Sequence, residues 1–185
     1  MRLYEPLPTS ISVCGKDYKI PVDFRVWIKI SKLMNEDVPI EIKMLNICLI
    51  LFSGECPENL SEILIKITDF MNCGKEIKTD VKKSKTVYDF DYDAEYIYAA
   101  FYQQYGINLS TARLHWWEFK ALLAGIGGDC LFTKIIEYRS TDVSKIKDKE
   151  LKKHLLEMKK TFALPDTRSN LEKEQDFADT FAMFY

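Results

Sequence analysis

Asp89, Asp91, Asp93 and Glu95 stand at alternate positions, the most enzyme-like cluster in this chain. Together with His115 they could supply ligands, acid and base for a metal-assisted hydrolysis. The D-x-D-x-D spacing opens like a calcium loop. Ala94 then stands where that loop needs its turn glycine, and Ala100 where it needs a bidentate glutamate. On a helix, alternate residues diverge. Carboxylates at a helix start complement its positive end instead, with Asp89 or Asp91 as the expected N-cap. His115 has no H-x-x-x-H or E-x-x-H companion, so a partly buried, hydrogen-bonded ring beside Trp116 is the expectation. His154, in a lysine-rich stretch, should face solvent. Gly125, Gly127 and Gly128 lack both a following G-K-[ST] and a preceding strand, so they read as a helix–helix turn and not as a phosphate loop. No G-x-S-x-G occurs. No catalytic residue, metal ligand or cofactor-binding residue is expected.

The elements that must position these residues follow from periodicity. Ile11–Val22 reads as a small hairpin turning at Cys14-Gly15-Lys16-Asp17. Asp23 caps a first helix, with Trp27, Ile30 and Met34 on one face and Arg25, Lys29, Lys32 and Glu36 on another. Pro39 opens a second helix and Gly54 closes it. Because IEIKMLNICLILF is apolar on nearly every side, that helix is expected to be buried. Pro57 and Gly74 bracket a third, clean amphipathic helix. Residues 75–87 are lysine-rich and aperiodic, a connector. Phe90, Ala94, Ile97, Phe101 and Tyr105 then form one helical face, and Gly106 separates it from a second pattern, Asn108 to Ala124. That pattern is expected to be a buried central post, ended by a left-handed Gly125. Asp129 starts a short helix with Leu131, Ile135 and Tyr138 inward. Lys149 to Phe162 forms a charged amphipathic helix. The last stretch carries Leu171, Ala178, Phe181 and Tyr185 on one stripe, flanked by Phe177 and Phe184.

The fold class is therefore mainly α: a multi-helix bundle around a buried central helix, with a small N-terminal β-hairpin. Its expected divisions are a hairpin plus three-helix lobe (1–74), the connector (75–87), an aromatic helical lobe (88–164) and an acidic, aromatic tail helix (165–185).

Composition narrows function. The chain has 185 residues, with 26 basic and 28 acidic side chains for a net charge of −2. Near-balance argues against a dedicated nucleic-acid binder, which works by neutralising phosphates. Five cysteines without a C-x-x-C give neither a disulfide framework nor a zinc site, and Cys48 and Cys73 read as small core residues. The longest apolar run, Ile47 to Phe52, is far short of the ~20 residues of a membrane span. A soluble protein of a reducing cytosol is the expectation.

The run DFDYDAEYIYAAFYQQYGINL, followed by LHWWEFKALLAGI and FTKIIEYRS, resembles the bacteriophage gene-product-fifteen family of long-tailed phages. The resemblance extends over the hairpin and first helix to about Lys160, and not to the last stretch. It implies a non-enzymatic tail-assembly chaperone in the host cytoplasm. Its partners would be the tape-measure protein and other tail components, with a homo-oligomer as a further expectation. The residues themselves add that Tyr92, Tyr96, Tyr98 and Tyr102 exceed what one buried face needs, and wet-edged tyrosines suit interfaces. These four, with Trp116, Phe177, Phe181 and Phe184, are the expected partner-binding residues. Two other readings stand beside this one. A nucleic-acid-associated phage regulator would use the 75–87 connector and the Lys145–Lys160 helix. A metal-assisted hydrolase would use Asp91, Asp93, Glu95 and His115.

Overall fold

The computed structural model describes residues 2–52, 56–75 and 87–165. It begins with a hairpin, β1 (Ser10–Val13) and β2 (Lys16–Lys19), paired antiparallel with Val13 opposite Lys16. The two-residue turn needs positive φ at both positions, and Cys14 (51°) and Gly15 (75°) supply it. Seven α-helices follow: α1 (Phe24–Asn35), α2 (Ile40–Leu51), α3 (Leu60–Met71), α4 (Ala94–Tyr105), α5 (Trp116–Gly125), α6 (Leu131–Ser140) and α7 (Lys149–Thr161). A 3-10 turn (Val143–Lys145) lies between the last two. The fold is mainly α.

Local chemistry explains most of the ends. The Asp23 carboxylate accepts from the Arg25 N–H at 2.9 Å and starts α1. Asn59, not Pro57, caps α3, taking the Glu62 N–H at 3.1 Å. At the other end of α3, the Gly74 N–H reaches back to the Asp69 carbonyl at 2.9 Å, with φ of +67° at Gly74. Gly106 closes α4 in the left-handed region.

One apolar cluster joins residues before and after the 75–87 connector. Trp27 and Ile30 of α1, Ile63, Ile67 and Phe70 of α3, Phe101 of α4, and Trp116 and Phe119 of α5 all belong to it. Phe119 is its hub, stacked on Phe24 (centroids 4.6 Å apart) and on Phe101 (5.2 Å). The two parts are also stitched by backbone. Trp116 N–H donates to Val22 O at 2.8 Å, and Phe24 N–H to Leu114 O at 3.1 Å.

The Trp-Trp step has a definite task. The last carbonyls of a helix lack intrahelical partners. Trp116 Nε1–H donates to Met71 O at 3.1 Å, and Trp117 Nε1–H to Phe70 O at 2.8 Å, so adjacent indoles seal the end of α3. Trp27 likewise donates to Pro21 O at 2.7 Å.

Several expectations are corrected. The helix expected from Asn108 begins only at Trp116. Before it, the Asn108 side chain accepts from Ser110 N–H and Oγ–H, local bonds that hold a turn in place of a helix. Arg25, expected on a polar face, donates to the carbonyls of Leu109 (2.7 Å) and Ala112 (3.0 Å) and fixes that turn. Gly125 is the last residue of α5 and is not left-handed; the positive φ of that connection belongs to Gly128. In α6 the inward positions are Phe132, Ile135 and Arg139, while Leu131 is exposed, because Arg139 is drawn inward to the buried Asp93 carboxylate. Most consequentially, α2 is not buried all round.

Candidate partner-binding surface

Helix α2 buries Met44, Ile47, Cys48 and Leu51, the i, i+3, i+4, i+7 face, and packs on α1. Its other side presents Ile42, Leu45 and Leu49 to solvent, with Leu45 61% and Leu49 71% exposed. Val38 and Ile40, just before and at the helix start, are exposed as well. The one charged side chain on this side of the helix is Glu41, exposed and four residues before Leu45. The helix has one lysine, Lys43, and its ammonium is turned to the Met34 carbonyl at the end of α1, 3.0 Å away. Glu41, in the first turn, is its only carboxylate. Leucines at such exposure form an apolar face left unpaired among the described residues, the usual mark of a contact surface.

A second exposed feature lies on α4. Tyr98 and Tyr102 stack in parallel with centroids 6.4 Å apart, and both are exposed, as is Tyr92 just before the helix. Tyr96 is different: half-buried, its ring meets Phe162 edge-on at 6.4 Å. Trp116 is corrected outright. At 2% exposure, with its N–H used on Met71 O, it is a core residue and offers no partner surface. Phe177, Phe181 and Phe184 lie outside the described residues.

The acidic group at the start of α4 is not a gathered site. The Asp89 carboxylate accepts from the N–H groups of Asp91 and Tyr92, both at 2.8 Å, and shapes the turn before the helix. Asp91 pairs with Lys32 of α1, and that carboxylate pushes the Lys32 ammonium pKa upward. Asp93, not Asp89 or Asp91, occupies the N-cap position, and its side chain turns inward. There it is fully buried in a two-pronged pair with Arg139 of α6, at 2.6 and 2.8 Å. Arg139 also donates to Val87 O (3.0 Å) and Phe162 O (2.6 Å), so one guanidinium ties together the ends of four segments. A signal for it existed in the sequence. Arg139 falls seven residues after Phe132 and four after Ile135, on the inward side of α6.

His115 caps α5. Its Nδ1 accepts the Trp117 N–H at 3.0 Å, and the Glu118 carboxylate takes the His115 N–H at 2.8 Å, a reciprocal capping box. With Nδ1 an acceptor, the ring proton sits on Nε2 and is donated to Pro8 O at 2.9 Å. The imidazole is thus fully engaged in structure. Among the described residues no three His, Cys, Asp or Glu side chains converge as metal ligands, and no helix is long and apolar enough to cross a membrane.

Sequence reasoning missed Ile42, Leu45 and Leu49. The signal was the same all-round apolarity that suggested burial. Such a helix is satisfied either by its own chain or by another, and sequence alone does not separate the two.

A family model described as bacteriophage Gp15 protein matches residues 3–164, nearly all of the chain. Neither a curated protein nor a solved structure matches it.

Proposed function

The chain belongs to the bacteriophage Gp15 family, and from that premise we propose that it is a non-enzymatic tail-assembly chaperone. It binds apolar helical segments of the tape-measure protein in the host cytoplasm and keeps them from self-association while the tail is built. The observation that carries this reading is the open stripe of α2. Ile42, Leu45 and Leu49 recur at helical spacing on a helix already anchored by its opposite face. Such a row accepts a partner helix side by side, apolar stripe against apolar stripe. Covering each of these side chains contributes about 1.5–3 kcal/mol, so three of them supply a useful share of a micromolar affinity. The tyrosines of α4 supply a second contact of a different kind, with flat rings and polar tips suited to a wet rim.

Co-expression with the tape-measure protein of the same phage tests the assignment. The expected result is co-purification under native, low-salt conditions. Tyr98→Ala with Tyr102→Ala should weaken retention without abolishing it. No association of the unaltered chain would remove the chaperone reading.

A further inference from the structure

Helices α5 and α6 both rest on α4, and between them lies a cavity of about 320 Å³. Its walls are mostly apolar. Leu123 and Phe132 are buried members of the core cluster, and Ile136 packs against that cluster. Tyr88 lines the cavity with its ring edge-on to Phe132 at 6.0 Å, and the exposed Ala124 stands at the rim. Three polar groups join these walls. The Thr133 hydroxyl is already committed to Gly128 O and Cys130 O, both at 2.8 Å. Lys120 is not. It is half-buried, its Nζ lies 5.5 Å from the centre of the Trp116 ring, and among the described residues no carboxylate pairs with it. The Tyr88 hydroxyl likewise has no hydrogen-bond partner among the described residues.

We propose that this cavity binds a small apolar carboxylate, an alkyl or aryl-alkyl chain ending in one acid group. Size sets the first limit. Ligand pockets run from about 300 to 1,000 Å³, so a cavity at the lower end takes a small molecule and not a helix. The walls set the second, since Leu123, Phe132 and Ile136 reward an apolar body. Charge sets the third. An ammonium drawn partly out of water without a counter-charge favours an anion beside it. One carboxylate matches the donors at hand, because Lys120 and the Tyr88 hydroxyl can each serve one of its oxygens. A phosphate brings more charge and more acceptor oxygens than one ammonium and one phenol satisfy. An uncharged oil would fill the cavity and leave the ammonium as it was. The inference is independent of the tape-measure reading, because the cavity uses no residue of the α2 stripe or of the tyrosine pair on α4.

Methyl-resolved NMR of the full chain, titrated with decanoate below the concentration at which it aggregates, tests the proposal. Saturable one-to-one shifts are expected at Ile136, with Ile42 of α2 unmoved. Each methylene removed from the fatty acid should weaken binding about fourfold. Lys120→Met keeps an apolar stem and loses the charge, so it should weaken decanoate at least about tenfold and leave decanol, which has the same tail and no charge, unchanged. Lys120→Arg should retain decanoate. Ala124→Trp, placed at the exposed rim, should weaken both ligands by narrowing the mouth. Decanoate that leaves Ile136 of the parent unmoved, or that shifts only the α2 methyls, would overturn the proposal. So would a Lys120→Met chain with the parent's melting midpoint that binds decanoate as tightly as the parent does.

Discussion

Asp93 and Arg139 form the pair on which the aromatic half of the molecule turns. Both are buried, and the geometry is bidentate, with Nε–H and the second Nη1–H of the guanidinium directed at the carbonyls of Phe162 and Val87. Desolvating two charges costs as much as their attraction returns, so the pair specifies an arrangement more than it adds stability. Breaking it is another matter. Asp93→Asn leaves the guanidinium buried without a counter-charge and should cost about 3–5 kcal/mol, read from urea denaturation. Asp93→Leu combined with Arg139→Met leaves no buried charge and should cost less than the single change. An Asp93→Asn protein within about 1 kcal/mol of the parent would show that the pair does not hold these segments. The aspartate triplet was visible in the sequence, but its partner lies 46 positions away, and helix-start acids usually remain in water. Only the inward register of Arg139 hinted otherwise.

At the scale of elements, the junction of the hairpin with α3 carries its own pH dependence. The Cys14 N–H donates to Glu62 Oε1 at 3.1 Å, and the Cys14 thiol to Oε2 at 3.2 Å. That backbone N–H, followed by the thiol, holds the Glu62 carboxyl below its ordinary value. The same contact raises the Cys14 thiol. Because the folded-state carboxyl is the more acidic, its contribution is fully present above the ordinary glutamate value of about 4.3. It is lost as pH falls through the lower folded-state value. Glu62→Gln should therefore lower the denaturation midpoint at neutral pH, and the gap from the parent should close in acid. A gap that is constant with pH would mean that charge on Glu62 contributes nothing.

Elements with a local cause were legible in the sequence. The Cys14-Gly15 turn, the Asp23 cap and the Gly106 stop depend on residues within a few positions of one another, and all stand where the pattern puts them. Elements decided by distant partners were not. Residues 108–112 have a helical rhythm, but side-chain bonds from Asn108 and the reach of Arg25 across the fold convert them to a turn. Helix α2 shows the same limit in reverse. Its existence and its start at Pro39 follow from the sequence, whereas it ends at Leu51, short of the stop expected at Gly54, and its open face depends on how much of the molecule was left to cover it.

For the whole molecule, one core unites residues on both sides of the connector, with Phe119 stacked between Phe24 and Phe101 and the two indoles of α5 sealing α3. Such a body is a rigid platform. The α2 stripe is fixed to it through Met44, Ile47 and Leu51, so on the proposed function a partner helix meets a preformed surface and need not order it first. The stripe and the tyrosine pair of α4 differ in chemistry, and the proposed function assigns most of the affinity to the first and its tuning to the second.

The most direct test is a calorimetric titration of the chain with apolar helical segments of the tape-measure protein. Leu45→Glu with Leu49→Glu places two carboxylates in the stripe while Met44, Ile47 and Leu51 keep α2 anchored, so the thermal midpoint should stay near that of the parent. Affinity should fall by at least about a hundredfold, since each lost leucine contact is worth about 1.5 kcal/mol or more. Unchanged affinity in a normally folded double variant would contradict the account, because the partner would then bind somewhere other than α2.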